Sequence, residues 1–452
     1  MQPRPSRRAA IFAMQVAANS LFGYLFTRGL AYQYGVSAFK DVFDIAYAIP
    51  FVILRLCGFT LIHGATVTTF SLLRQTTSDS QIASAYSSLL IILTATTVAL
   101  TAAALIFADL IVSLLAPGVS PAGRAEIAKL LVVMSPLTLS FCIGTFLSGI
   151  LIAYDIPLSS EIPQIMSRLT ALAALFCFPN SISVTTVAIL LNIGAIFAVA
   201  LQFRAIQQLT PIRFRSELNL GNSVVPTILA QLPTVFVMML VAQVAFLTMQ
   251  RLASLGGPGS IATVSYALGI ASPLSLLLGK PLALVYSAGL TSSCSRGNTS
   301  EVSRLLTKIL LLVSGLSLPF CLVITFFAPT CIGLLYGGGA FDAAAVARTA
   351  TVSTITVWGT PAAAVTMIVH PVILATAKSP AAGIGMSSGY LLHTLLSYAF
   401  FPSYGLVGLA WAYLAGVCLQ AVVSILLIRK INQSVKSKPV AVLSPAPAAQ
   451  HG

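Results

Sequence analysis

The chain has 452 residues, of which 57% are hydrophobic and only 8% are charged, and its formal net charge is +14. A water-soluble globular protein carries about 25% charged residues, so this composition excludes a soluble fold. The apolar runs are continuous and do not alternate with polar residues, which predicts membrane-spanning α-helices and excludes a β-barrel.

Twelve apolar stretches are long enough to cross a bilayer, because a spanning helix needs about 20 apolar residues. In chain order they cover residues 9–27, 43–70, 87–115, 130–153, 161–178, 182–203, 223–248, 260–290, 305–336, 349–377, 381–401 and 405–428. We therefore predict an all-α integral membrane protein with about 12 transmembrane helices.

Basic residues are distributed unevenly between these stretches. If the N-terminus with Arg4, Arg7 and Arg8 is cytoplasmic, 15 of the 24 Lys and Arg residues lie in cytoplasmic segments. This bias is typical of membrane proteins, and an even number of spans also places the C-terminus in the cytoplasm. The basic loops would contact anionic membrane lipids. Their spread over many short segments does not favour a nucleic-acid partner.

The two halves of the chain resemble each other. Phe107-Ala108 followed by Gly118 recurs as Phe327-Ala328 followed by Gly338, at a spacing of 220 residues. This repeat predicts two pseudo-symmetric six-helix lobes, and chance similarity between apolar segments is the alternative. The predicted organisation is a basic N-terminus (1–8), an N-lobe (9–203), a basic linker (204–222), a C-lobe (223–428) and a disordered tail (429–452).

Sequence signatures of enzymes are missing. Gly279-Lys280-Pro281 lacks the Ser or Thr that follows the lysine of a nucleotide-binding loop. No histidines stand at metal-binding spacing and no catalytic triad can be assembled from the sequence. We therefore predict no enzymatic activity, no cofactor and no metal site. A carrier driven by the membrane potential or by an ion gradient fits better.

Cations within or beside the spans are the candidate binding residues, because a charge at the bilayer centre costs about 3 kcal/mol or more. Arg55 lies inside the second span and Lys280 inside the eighth, next to Pro281, while Pro50 precedes Arg55. We expect the prolines to break these helices. Arg55, Lys280 and Arg28 would then line one cavity and bind an anionic headgroup, since arginine can hold phosphate oxygens with two hydrogen bonds.

Three further residues are candidates for gating or ion coupling: Asp41, Asp44 and His63. Asp41 would orient a cation or close a gate through an ion pair between the lobes. His63 would share a helix face with Arg55, eight residues away. Simpler roles stay open: Arg55 could pair with Asp41 or Asp44 or reach the headgroup region.

Other simpler roles also stay open. Lys280 could lie at an interface, and Arg28, Lys40 and Asp44 could be solvated. His63 could be an ordinary core histidine, and Arg168 could lie near a span end with a structural role.

Four segments, in this order and at this spacing, resemble the MurJ/MviN family of the MOP superfamily. They are Tyr34-Gly35 to Asp41 with Ala48-Ile49-Pro50, Leu114-Leu115-Ala116-Pro117-Gly118 with Leu130 and Pro136, Gly149-Ile150-Leu151 with Ile156-Pro157, and Leu334–Phe341. The resemblance covers roughly residues 15–428.

This resemblance implies two six-helix lobes around a central cavity, in the inner membrane of a bacterium. It also implies that the chain, as a monomer, flips a polyprenyl-pyrophosphate-linked glycan, the peptidoglycan precursor lipid II, from the inner to the outer leaflet by alternating access. A coupling ion could assist. The remaining alternatives are a flippase for another lipid-linked oligosaccharide, a multidrug/cation antiporter of the same superfamily, and a non-transporting divergent homologue.

The chain departs from the family pattern at its cavity arginines. Non-basic residues occupy the positions where the resemblance implies arginine: Ser20, Phe26, Leu54, Gly269 and Gly337. Arg28 is displaced by two residues, whereas Arg55 and Asp41 match the pattern. Many members have fourteen spans and this sequence predicts twelve, so the exact substrate and the handling of its lipid tail are left open.

Overall fold

The computed structural model describes residues 5–56, 59–178, 182–219, 232–376 and 380–436. Within these ranges the chain forms fifteen α-helices and one short 3-10 helix, and no β-strand. The predicted all-α fold is therefore confirmed.

The N-terminal half contains eight helices. They are α1 (Pro5–Tyr34), α2 (Ala38–Leu56), α3 (Phe59–Thr76), α4 (Asp79–Ile106), α5 (Ala108–Leu115), α6 (Pro121–Ala153), α7 (Ile162–Cys177) and α8 (Val184–Leu209).

The C-terminal half contains the remaining elements. They are α9 (Leu232–Ser254), α10 (Ser260–Ser295), α11 (Thr299–Phe326), α12 (Ala328–Tyr336), α13 (Ala343–Thr356), a 3-10 turn (Val357–Gly359), α14 (Thr360–Thr376) and α15 (Pro380–Lys436). Gly405, at φ 54° and ψ −132°, interrupts α15, so that α15 consists of two helices joined at a kink.

Seven helical stretches within the described residues are long and apolar enough to cross a membrane. Their outer faces carry exposed apolar side chains, such as Leu311 (69% exposed) and Phe326 (74% exposed). Such a surface is unfavourable in water and suits lipid. The count of twelve spans stays a prediction.

Several predicted spans are interrupted in the structure. The stretches 87–115 and 305–336 each divide into a long helix and a short one, after Phe107 and Phe327 respectively. Both phenylalanines leave the helical backbone range in the same way, with φ −97° and ψ 20° at Phe107 and φ −120° and ψ 27° at Phe327. The same junction therefore recurs at the two positions that the sequence repeat aligns.

The helix breaks expected at Pro50 and Pro281 are wrong. Helix α2 continues through Pro50 to Leu56, and α10 continues through Pro281 to Ser295. A proline removes one backbone hydrogen bond, and packing within a helical bundle holds the rest of the helix together. Residues 57 and 58, between α2 and α3, lie outside the described part of the chain, so the helix face that we expect Arg55 and His63 to share stays a prediction.

The terminal segments are more helical than predicted. Helix α1 begins at Pro5, inside the predicted basic N-terminus, and α15 extends to Lys436, inside the predicted disordered tail. Residues 1–4 and 437–452 lie outside the described part of the chain.

The first part of the predicted linker packs against the N-terminal half. After Leu209 the backbone amides of Arg215 and Asn219 donate to the hydroxyls of Ser87 and Ser88 on α4, at 2.9 Å each. Ile212 is fully buried beside them. The linker is therefore ordered up to residue 219, and residues 220–222 lie outside the described part.

Close helix packing within the N-terminal half depends on small residues. A Cβ atom on Gly194 of α8 would lie 2.3 Å from the carbonyl oxygen of Met166 on α7, whereas a Cβ on Gly315 of α11 would meet nothing within 4 Å. The backbones of α7 and α8 can therefore approach closely only without a side chain at position 194.

We expect Gly194→Ala to lower the free energy of unfolding by about 1–3 kcal/mol, because the added methyl group overpacks a closed interface. Gly315→Ala is the matched control and should leave stability unchanged or slightly raised, since alanine is the better helix former. Thermal unfolding of both variants in detergent measures the difference. Equal effects of the two substitutions would contradict this packing account.

Candidate functional site

The two halves of the chain are joined tightly at one end of the bundle. We call this the closed end; it comprises Tyr32–Gly35 at the end of α1, Asp41 on α2 and Gly259–Ala262 at the start of α10. The amide of Ala340 donates to the carbonyl of Tyr32 at 2.8 Å, and the Tyr266 hydroxyl donates to the carbonyl of Gly35 at 3.2 Å. Gly35 has φ 57°, and a Cβ there would lie 2.1 Å from the Ala340 oxygen. The closed end thus relies on backbone contacts that side chains would block.

Asp41 connects the halves by capping a helix. Its Oδ2 accepts a hydrogen bond from the amide of Gly259 at 2.6 Å, and its Oδ1 accepts one from Ala262 at 2.7 Å. The first amides of a helix have no partner within that helix and carry partial positive charge, so a carboxylate is favourable there. Asp41 therefore reaches the opposite half through backbone amides and not through the ion pair that we expected from the sequence.

Lys40 and Asp44, one turn apart on α2, form a buried ion pair. The side chain of Lys40 is 3% exposed and that of Asp44 is 11% exposed. The Lys40 ammonium also lies 4.8 Å from the ring centre of Tyr266 on α10. Asp44 is therefore the counterion of Lys40 and not of Arg55.

A cavity of about 120 Å³ lies between the two halves, next to Lys40 and Asp44. Residues of α1, α2, α7 and α10 line it, and its charged members are Lys40, Asp44 and Arg168. Gly23 of α1 leaves room for Arg168, since a Cβ at position 23 would lie 2.9 Å from the Arg168 Nη1. Arg168 thus belongs to the interior of the bundle and not to a span end.

Four polar residues gather further along the same interface, and we call them the Glu161 cluster: Asn19, Glu161, Arg168 and Lys280. Lys280 lies on α10, and Glu161 lies directly before α7. Lys280 Nζ is 2.8 Å from Glu161 Oε1, so this ion pair joins the two halves. The Asn19 side-chain amide donates to Glu161 Oε2. Arg168 Nη1 donates to Asn19 Oδ1 at 2.7 Å.

One face of α1 connects the Glu161 cluster with the cavity. Asn19, Gly23, Thr27 and Leu30 recur at helical spacing, and the last three line the cavity. Polar groups therefore follow the interior of the bundle from Lys280 to Lys40.

Arg28 and Arg55 lie elsewhere. Neither lines this cavity, and both are exposed. Arg28 donates to the Tyr24 hydroxyl at 3.3 Å. The Arg55 guanidinium lies 5.8 Å from the ring centre of Phe246 on α9, so it faces the opposite half of the chain. Lys280 is not among the residues that line this cavity either, and Arg55 and Lys280 both contact the opposite half, so a chamber shared by the three cations stays a prediction.

His63 lies within its own half of the molecule, near the Glu161 cluster. Its Nδ1 is 3.2 Å from the Thr145 carbonyl and 3.1 Å from the Ser148 hydroxyl, both on α6. The charges of Glu161 and Lys280 are within electrostatic range of its ring. His63 is thus hydrogen-bonded to α6 and lies near the ion pair.

Glu161 was missed as a site residue by the sequence reasoning, and Arg168 was given only a structural role. Glu161 coincides with the predicted start of the fifth span, where acidic residues are common and solvated. A usable signal was present, however, because the chain has only ten Asp and Glu residues. No group of His, Cys, Asp and Glu that could hold a metal ion occurs among the described residues.

The model of the protein family described as lipid II flippase MurJ matches residues 30–444 of this chain. The chain belongs to this family. A probable lipid II flippase MurJ of Buchnera aphidicola is 25% identical over 328 residues, which cover 72% of this chain and 64% of the relative. Lipid II flippase MurJ of Burkholderia cenocepacia is 24% identical over 411 residues, which cover 89% of this chain and 79% of the relative.

Solved structures place this MurJ-family chain in the MOP fold. A lipid II flippase MurJ in an inward closed conformation superposes with a TM-score of 0.74 at 20% identity and covers 95% of this chain and 91% of that one. An inward-facing multidrug resistance MATE family transporter of the MOP superfamily gives a TM-score of 0.76 at 12% identity, covering 96% and 99%. These likenesses confirm the predicted MATE/MOP-like fold class.

The Asp41 cap should help to hold the two halves of this MurJ-family chain together at the closed end. We expect Asp41→Ala to increase access to the cavity from that end by about fivefold, since a helix cap contributes about 1 kcal/mol. The measurement is the labelling rate of Thr27→Cys by a membrane-impermeant maleimide in spheroplasts, after replacement of the native cysteines.

Asn298→Ala is the matched control. Asn298 also caps a helix, since its Oδ1 accepts from the amide of Glu301 at 3.2 Å, but that helix is in its own half and away from the closed end. The control should leave the labelling rate unchanged. If both substitutions accelerate labelling equally, Asp41 is not the contact that holds the halves together.

Proposed function

We propose that this chain is a flippase that moves the undecaprenyl-pyrophosphate-linked peptidoglycan precursor, lipid II, from the inner to the outer leaflet by alternating access. The observation that carries this proposal is the interior between the two halves, which holds Lys40, Arg168 and Lys280 in a chain of the MurJ family. A charge within a membrane protein is costly and usually serves function.

Arg168 and Lys280 are the residues that we propose for the diphosphate. They are linked through Asn19 and Glu161, so a headgroup in this region would meet a planar guanidinium and a mobile ammonium. Arginine can bind two phosphate oxygens at once, and lysine acts as a point charge on a flexible stem.

Arg28 and Arg55 have a different proposed role, because both are exposed. Arg55 faces α9 across the interface between the halves, so it would attract the anionic headgroup before it enters the cavity. The contact of Arg28 with Tyr24 places it on α1, the helix that also lines the cavity.

The closed end would provide the alternation of access. Asp41 holds the start of α10, and the Lys40–Asp44 pair neutralises the charges beside it, so these contacts would part when the cavity opens at this end. With the predicted orientation this end faces outward. The inside-negative potential would then favour outward movement of the anion by about 2.3 kcal/mol per charge per 100 mV.

Growth of a bacterial strain depleted of its own lipid II flippase tests the function directly. We expect the chain to restore growth, and Arg168→Ala, Lys280→Ala and Arg55→Ala to lose that ability, because each removes a cation from the proposed path of the headgroup. Membrane insertion, measured by immunoblot of membrane fractions, should be unchanged.

Lys129→Ala is the control, since the Lys129 side chain is 76% exposed and pairs with Glu126 on the surface of α6. It should support growth like the original chain. If the unaltered chain inserts into the membrane and restores no growth, the substrate is not lipid II. Competition between lipid II and other lipid-linked oligosaccharides in reconstituted vesicles then identifies the preferred glycan.

A further inference from the structure

The ion pair between Glu161 and Lys280 joins the two halves at a place where we propose that an anion binds. The distance between Lys280 Nζ and Glu161 Oε1 is 2.8 Å. Glu161 is 8% exposed as a residue, whereas the side chain of Lys280 is 39% exposed. The carboxylate is therefore fixed inside the protein, and the ammonium can still be reached from the space between the halves.

Glu161 is held firmly by its own half. Its Oε2 accepts from Asn19 of α1, and its backbone amide donates to the Ser159 hydroxyl at 3.3 Å. The turn that carries it is also tied to α3, because Arg74 pairs with Asp155 at 2.9 Å. Lys280, in contrast, sits at the end of a flexible side chain on α10. An incoming anion would therefore move the lysine and leave the glutamate in place.

Lys280 already has a negative partner, and this sets a condition on any ligand. A ligand with one negative charge would replace one anion by another at Lys280 and leave Glu161 without its counterion, which is costly for a buried carboxylate. A ligand with two negative charges also takes Lys280 from Glu161, but its second charge can interact with Arg168, which offsets that loss. Arg168 is linked to Lys280 through Asn19 and Glu161. The ion pair therefore penalises singly charged ligands more than doubly charged ones.

We propose that Glu161 is the resident counter-anion of Lys280 and the residue by which the site selects a diphosphate diester, with two negative charges, over a phosphodiester with one. Membrane phospholipids are abundant phosphodiesters, so this device would keep their headgroups out of the site. The inference rests on the proposed function, and it specifies that the site selects its ligand by the charge of the headgroup.

Binding to the purified full-length chain in detergent tests the inference. The probes are farnesyl-diphospho-N-acetylglucosamine and the corresponding farnesyl phosphodiester, which differ by one phosphate group. We expect the original chain to prefer the diphosphate. Glu161→Gln should raise affinity for the phosphodiester by about tenfold and reduce the preference, because Lys280 loses its resident anion.

Two further variants keep the test sharp. Glu126→Gln removes a carboxylate from the exposed pair with Lys129 and should leave both affinities unchanged. The double variant Glu161→Gln/Lys280→Gln leaves no unpaired charge, and it should bind the phosphodiester no better than the original chain. This variant excludes an effect of altered folding on the result.

An unchanged preference in Glu161→Gln, or weaker binding of both probes, overturns the inference. So does the failure of every variant to bind either probe. Growth of the flippase-depleted strain decides the proposed function separately. If growth is restored and Glu161→Gln does not change the ligand preference, only the role of Glu161 as counter-anion is disproved. If growth is not restored and Glu161→Gln changes the preference as expected, only lipid II as the substrate is disproved.

Discussion

The pairing of charges inside the bundle is the constraint on which the rest of this structure depends. A buried cation without a partner would cost several kcal/mol, so each must find an anion or a hydrogen-bond acceptor. Lys40 pairs with Asp44, Lys280 with Glu161, and Arg168 with Asn19. Because the Lys280 pair crosses between the halves, the same interaction that satisfies a charge also holds the two halves together.

The two ends of the interface are held by different kinds of contact. At the closed end, backbone groups and the Asp41 cap connect the halves, and glycines such as Gly35 allow the close approach. At the Glu161 cluster, an ion pair with a flexible lysine makes the connection. An anion can compete with an ion pair, but it cannot easily replace a set of backbone hydrogen bonds. This difference favours opening at the Glu161 cluster when an anionic headgroup arrives.

The cavity contains a positive charge although two arginines of the family pattern are replaced. Phe26 and Gly269 occupy positions where the family resemblance implies arginine, and both line the cavity. Arg168 supplies positive charge to the same space, where Asp44 neutralises Lys40.

The apolar runs and the family motifs were sufficient to predict the helical membrane fold, because hydropathy and the spacing of motifs are local properties of the sequence. The partners of charged residues were not predictable in the same way. Glu161 and Lys280 are 119 positions apart, and no periodicity connects them. Pro50 and Pro281 likewise looked like helix breaks, since a sequence does not show the tertiary packing that maintains a helix through a proline.

An experimental structure of the chain with farnesyl-diphospho-N-acetylglucosamine bound is the most direct test of this account. We expect diphosphate oxygens within hydrogen-bond distance of Lys280 and Arg168, with the Lys280 ammonium drawn away from Glu161. A diphosphate bound elsewhere, with the Lys280–Glu161 pair intact, would contradict it.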